Sequence, residues 1–141
     1  MSFVEKGPVL ALREAVVARL AGDATLSGML GGARLYDEPP RGITGVYAVL
    51  SDTRLRDWST GSDHGHEQDF SIGVWAHEGG ARSALKAVAR IEALLHEAAL
   101  VLDGHRLVNL RVTGSDTRRD ERANRSRIVL RLRAVTEAVS N

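Results

Sequence analysis

The densest set of chemically capable side chains is the run Asp63-His64-Gly65-His66-Glu67-Gln68-Asp69, which places five potential oxygen or nitrogen ligands within seven residues. Two imidazoles and a carboxylate form a ligand set for zinc or iron, and alternation along an extended segment would put His64 and His66 on one face. The other histidines, His77, His96 and His105, supply no further ligand at motif spacing. The run also lies where a polar loop enters a strand, so it reads as a solvated strand entry, with a metal-dependent enzyme on His64 and His66 as the rival. Nucleophilic catalysis finds less. Ser51, Ser59, Ser62, Ser71, Ser83, Ser115 and Ser126 all lack a G-x-S-x-G setting. His96 falls at the edge of an apolar helix face and His105 opens a strand, positions that suit structural histidines. Neither a Walker lysine motif nor a dinucleotide G-x-G-x-x-G is present. The chain has no cysteine, which removes thiol nucleophiles, Cys-ligated zinc, iron–sulfur clusters and disulfide scaffolds together. The sequence predicts no enzyme: no catalytic residues, no metal and no cofactor.

Arginine is the other resource. It outnumbers lysine 17 to 2, and nine arginines between Arg106 and Arg133 face only Asp116, Asp120 and Glu121. The whole chain nevertheless carries a formal charge of +1, which excludes a strongly basic nucleic-acid binder and an acidic disordered tail. The stretch from Arg118 through Arg119, Arg122 and Arg125 to Arg127 is the place where phosphates could bind, giving a small nucleic-acid-binding module as the alternative function. Interleaved acids weaken its field, and no aromatic residue is present there to stack on bases. A solvated or subunit-bridging hairpin tip fits it better. Arg54, Arg56, Asp57 and Trp58 form a second polar cluster around an aromatic that no core periodicity requires. Trp58 either folds back onto its own sheet or anchors a neighbouring subunit.

The elements that must carry these residues follow from spacing. At 141 residues, 43% hydrophobic and 26% charged, the chain suits a single domain spanning 1–141 with a core that needs no staples. No apolar run is long enough for a membrane span, and Glu5 and Arg13 interrupt the N-terminal stretch that a signal core would occupy. Pro8 followed by Val9, Leu12, Val16 and Leu20 predicts a helix over Val9–Ala21, then a short helical turn over Thr25–Leu30 with Asp23 as cap and Gly31-Gly32 as stop. Strands are predicted at Arg34–Tyr36, Val46–Ser51 and Asp69–Ala76, the last pair joined by an unusually long polar loop. Gly79-Gly80 then opens a helix over about Ala81–Ala99. Asp103-Gly104 turns into strands Arg106–Thr113, with Val108, Leu110 and Val112 on one face, and Arg127–Glu137. The order α-β-β-β-α-β-β predicts an α+β fold: a mainly antiparallel sheet of about four to five strands covered on one face by two helices. The other face mixes Arg131, Arg133 and Ser71 with Val129, Val135 and Trp75, which invites a partner.

Five short runs in succession carry a resemblance: Ala33-Arg34-Leu35-Tyr36-Asp37 with Pro39-Pro40, Tyr47-Ala48-Val49-Leu50, Arg56-Asp57-Trp58-Ser59-Thr60, Ile72-Gly73-Val74-Trp75-Ala76 and Leu102-Asp103-Gly104-His105-Arg106-Leu107-Val108. Over nearly the whole chain the sequence resembles the tail-completion, or tail terminator, proteins of long-tailed bacteriophages and gene transfer agents. The resemblance implies a structural protein made in the bacterial cytoplasm and residing at the tail–neck junction of a particle. There it would form a homohexameric ring that stops growth of the tail tube, touching tail tube protein on one side and a head–neck connector or stopper on the other. DNA would pass through the ring without specific binding. The resemblance recasts the Asp52–Gln68 loop and the Ser115–Ser126 tip as candidate contacts between subunits or rings. It assigns no role to the Asp63–Asp69 run.

Overall fold

The computed structural model describes residues 6–32, 34–62, 64–77, 80–122 and 124–139. They form helices α1 (Pro8–Ala21), α2 (Ala24–Leu30) and α3 (Ala81–Leu95), and strands β1 (Leu35–Tyr36), β2 (Tyr47–Asp57), β3 (Gly65–His77), β4 (Val101–Leu102), β5 (His105–Asp120) and β6 (Arg125–Ala138). Pro8 occupies the first turn of α1, where its missing N–H costs no hydrogen bond. Asp23 caps α2 by accepting from Leu26 N at 2.9 Å, and Gly31, with φ 72°, ends it in the left-handed conformation that glycine adopts without a Cβ clash. The α3 stripe Ala84, Val88, Ile91 and Leu95 is buried, as its spacing predicts. Among the described residues no helix is long and apolar enough to cross a membrane.

The sheet order is β1-β2-β3-β6-β5-β4, with β1 parallel to β2 and the other pairs antiparallel. The α+β class and the helix-covered face agree with the sequence reading; the count does not. Six strands replace four to five, the sheet is mixed, and α2 is a third helix whose Leu26 and Leu30 are buried in the common core. The strand predicted at Arg34–Tyr36 is β1, and the two-residue β4 is the addition, too short for periodicity to register. Ala33, Asp63 and Gly79, used in the sequence reading, lie outside the described residues.

The larger correction concerns the two segments read as loops. Most of Asp52–Gln68 is strand: β2 runs on to Asp57 and β3 starts at Gly65, leaving only 58–64 as connection. The Ser115–Ser126 tip likewise contracts to a turn at 121–124 between β5 and β6. Bulges explain why alternation hid this. In β2 the register shifts between Ser51 and Arg54, where Asp52 takes φ 55°, so the side-chain parity inverts. In β5 it shifts between Leu107 and Asn109 and again between Val112 and Gly114. Val108 falls in the first of these bulges and is 44% exposed, so it does not join Leu110 on the covered face as predicted.

The core lies between the helices and one face of the four long strands. Ala48 and Leu50, Phe70 to Ala76 at alternate positions, Leu110, and Ile128 to Ala134 at alternate positions meet Leu12, Val16, Leu20, Leu26 and the α3 stripe. Gln68 and Thr136 are polar residues buried on this side. Gln68 is 1% exposed, and its Nε2 donates to Pro8 O at 3.1 Å and Thr136 Oγ1 at 3.2 Å, tying the start of α1 to the sheet.

Candidate functional site

The opposite face of the sheet has no helix over it. Its residues come from the other parity: Tyr47, Val49 and Ser51 on β2, Glu67 to Trp75 on β3, and Arg125 to Val135 on β6. After its second bulge, β5 adds Gly114, Asp116 and Arg118. A groove of about 490 Å³ crosses this face from Pro39 and Tyr47, over Trp75 and Val129, to Arg118, Arg125, Arg127 and Arg131. A groove walled by the outermost of four adjacent strands makes this face concave.

Two kinds of arginine environment divide it. At one end, charges are matched. Once the bulge at Asp52 has reversed parity, Arg54 and Arg56 stand opposite Asp69 and Glu67. Arg56 bridges Glu67 and, at 2.8 Å, Asp69, while Arg133 reaches Glu67 from the other side. Hydrogen bonds from the Arg133 and Arg56 guanidiniums hold the Glu67 carboxyl below its ordinary range, and Arg131 does the same to Asp116. At the other end, the described residues offer Arg118, Arg125 and Arg127 no ion pair, and the last two stack instead. The Arg125 and Arg127 guanidiniums lie 4.4 Å and 5.1 Å from the Trp75 ring centroid, and Trp75 is stacked on Tyr47 at 6.5 Å. Arg125 Nη1 donates to the Tyr47 hydroxyl at 3.2 Å, while its buried Nε has no hydrogen-bond partner.

The eight singled-out residues therefore fall in two places. Arg118 and Arg125 line the groove, with Arg119, bonded to Asn124 Oδ1 at 2.5 Å, and exposed Arg122 beside them at the hairpin turn. Arg54, Arg56, Asp57 and Trp58 sit at the far end of β2, at least six residues along β3, or roughly 20 Å or more, away. Trp58 is 49% exposed, and its backbone N–H donates to Gly65 O at 2.8 Å; Ser59 holds Asp57, whose carboxyl is lowered by its hydroxyl. Sequence reasoning missed Tyr47, Trp75 and Arg127 as a stack. Register supplies the signal, since Trp75 stands opposite Tyr47 on one side and Arg127 on the other.

The histidine run does not converge. Among the described residues no three His, Asp or Glu side chains gather to hold a metal, and Glu67 and Asp69 are committed to guanidiniums. His66 Nδ1 is buried without a partner. His96 Nδ1 accepts from Val112 N at 3.0 Å, and His105 Nε2 bonds Lys6 O at 2.8 Å, both structural uses. Guanidinium, indole and phenol groups dominate this face, a set suited to contact by charge and stacking.

Residues 14–137 match the family described as Tail completion protein gp17. Among solved structures, the fold is similar to a chain of the virion of a native gene transfer agent particle. It is 34% identical with a TM-score of 0.85, and the alignment covers 97% of this chain and 100% of that one. A second solved chain, 16% identical with a TM-score of 0.56 over 96% of this chain and 99% of its own, shares the fold alone. No curated protein matches.

Proposed function

The chain belongs to the tail completion protein gp17 family, and on that premise we propose that it is a tail terminator, a homohexameric ring that caps the tail tube and joins it to the head–neck complex. Its coarser character is plain: it is a structural, non-enzymatic component of phage or gene transfer agent particles. The observation that carries the finer reading is the match along the full length of a chain that sits within a gene transfer agent virion. The concave face adds physical support, because a surface of arginines and stacked aromatics acts by shape and charge matching. In this reading Arg54, Arg56, Asp57 and Trp58 at one end, and Arg118, Arg119, Arg122 and Arg125 at the other, are contacts between subunits or with adjacent rings. The partners are further copies of the chain, the tail tube protein and a connector or stopper, while DNA passes through without specific binding. Native mass spectrometry of concentrated protein and of disassembled particles tests it. A six-copy species is expected; a strictly monomeric protein, absent from particles, overturns it. Retention on DNA that falls steeply with salt and vanishes on charge reversal at Arg118, Arg119 and Arg122 would favour the nucleic-acid module instead.

A further inference from the structure

Both outer long strands of the sheet have an unpaired edge. β4 reaches only His105 and Arg106 of β5, and the corner after α3 covers the next part, Leu110 O accepting from Glu97 N and Val112 N donating to His96. From Thr113 to Arg119 no described strand lies beside β5. On the other side β1 pairs only with Ala48 and Val49, so β2 from Thr53 to Asp57 also lacks an outer neighbour. Free edges of this length are templates for another strand.

We propose that these two edges pair with each other between copies, the Ser115–Arg119 stretch of β5 in one copy adding antiparallel to the Thr53–Asp57 stretch of β2 in the next. This rests on the ring reading and names the surface that builds the ring. Polarity permits it. Successive antiparallel pairing of β2, β3, β6 and β5 leaves β5 running opposite to β2, so a neighbour's β2 continues the alternation. The contact joins two different surfaces of the same chain, and such heterologous contacts generate rings when the rotation closes. Concavity sets its sense: the sheet curls toward the open face, so the joined sheet carries that face inward and the helices outward.

The stagger is fixed as well. The middle of the Ser115–Arg119 stretch, Thr117, is in register with Ile128 and Val74, while the middle of the free β2 stretch, Leu55, is in register with Gln68. Matching them displaces each copy by about six residues, or roughly 20 Å, along the strands, across a sheet of four strands about 19 Å wide. The strands then tilt by about 45° to the ring axis, the upper end of the range that closed β-barrels adopt. In this register Leu55 of one copy faces Thr117 of its neighbour, Asp57 faces Ser115 and Arg56 faces Asp116, while Arg54 comes opposite Arg118, a like-charge pair that the contact has to accommodate. Leu55, 43% exposed in the single chain, gains cover.

The cysteine-free sequence makes the test direct. Double variants pairing Leu55→Cys with Thr117→Cys, or Asp57→Cys with Ser115→Cys, are oxidised mildly under ring-forming conditions and read on non-reducing gels. At least one combination is expected to give a covalent ladder ending at the ring size, and each single variant none. In the unmodified protein, amide exchange over Ser115–Arg119 is expected to slow about tenfold or more on assembly. A ring that assembles with no ladder and no slowed exchange overturns edge pairing and leaves the ring reading standing. Absence of any ring at high concentration and in particles overturns both.

Discussion

The same four strands present two faces that differ by one residue of register, and they use arginine and apolar side chains in opposite ways. On the covered face, Ile72, Val74, Leu110, Ile128, Leu130 and Leu132 are essentially sealed by three helices, and the burial of apolar area holds the chain together. On the open face, apolar and aromatic groups are interleaved with guanidiniums that are stacked or paired across strands. The covered face is complete within one copy. The open face and its flanking strand edges are the parts left over, and the proposed ring is built from them. The bulges at Asp52 and Thr113 each flip side-chain parity along their strand, so the residues beyond them change face.

The largest test of that contrast is truncation in the covered face. Leu130, fully buried beneath the helices, is expected to cost about 3 kcal/mol on Leu130→Ala, from lost transfer energy plus the cavity left behind. Urea unfolding with an unchanged slope would measure it. A loss below about 1 kcal/mol would mean that the two faces are less distinct than their burial implies. Arg125→Ala on the open face is expected to cost only about 1 kcal/mol of single-chain stability, since it removes a cation–π contact and one hydrogen bond at a half-buried site. If Arg125→Ala rivals Leu130→Ala in the isolated chain, the open face is a second core instead of a recognition surface.

Much of the covered face was legible in the sequence. The helix stripes Leu12-Val16-Leu20 and Ala84-Val88-Ile91-Leu95, and the alternation at Phe70–Ala76 and Ile128–Ala134, are dictated by one buried side per element. The extensions of β2 past Ser51 and β5 past Thr113 were not, because a bulge removes the period and both faces beyond it are solvated, so no burial pattern exists to read. The same physics hid the site. Arg118 and Arg125 stood out as charges in a tip, yet their meeting with Trp75 and Tyr47 depends on β5, β6, β3 and β2 lying side by side, a long-range pairing that local spacing does not encode.

The smallest expected effect concerns a charge that belongs to the covered side. Asp23 accepts from Leu26 N and takes two bonds from Arg90 of α3, at 2.9 Å and 2.7 Å, so it caps α2 and fastens it to α3 at once. The Arg90 hydrogen bonds, then the backbone bond, lower its pKa from 3.8 to about 2. A carboxyl ionised more readily in the folded chain than in the unfolded one stabilises the fold above the unfolded value, and that contribution is lost as pH falls from about 3.8 toward 2. Asp23→Asn keeps an oxygen for the cap and removes the charge. Its melting temperature is therefore expected to lie a few degrees below that of the unmodified protein at pH 6, with the gap closing by pH 2. Glu67 and Asp116 on the open face are lowered by their arginines too, so the unmodified protein loses stability over the same acid range from both sides of the sheet. The difference between the two curves isolates Asp23. A gap that stays constant down to pH 2 would place its contribution in the cap geometry alone, leaving the Arg90 pair without a role in fastening the helices.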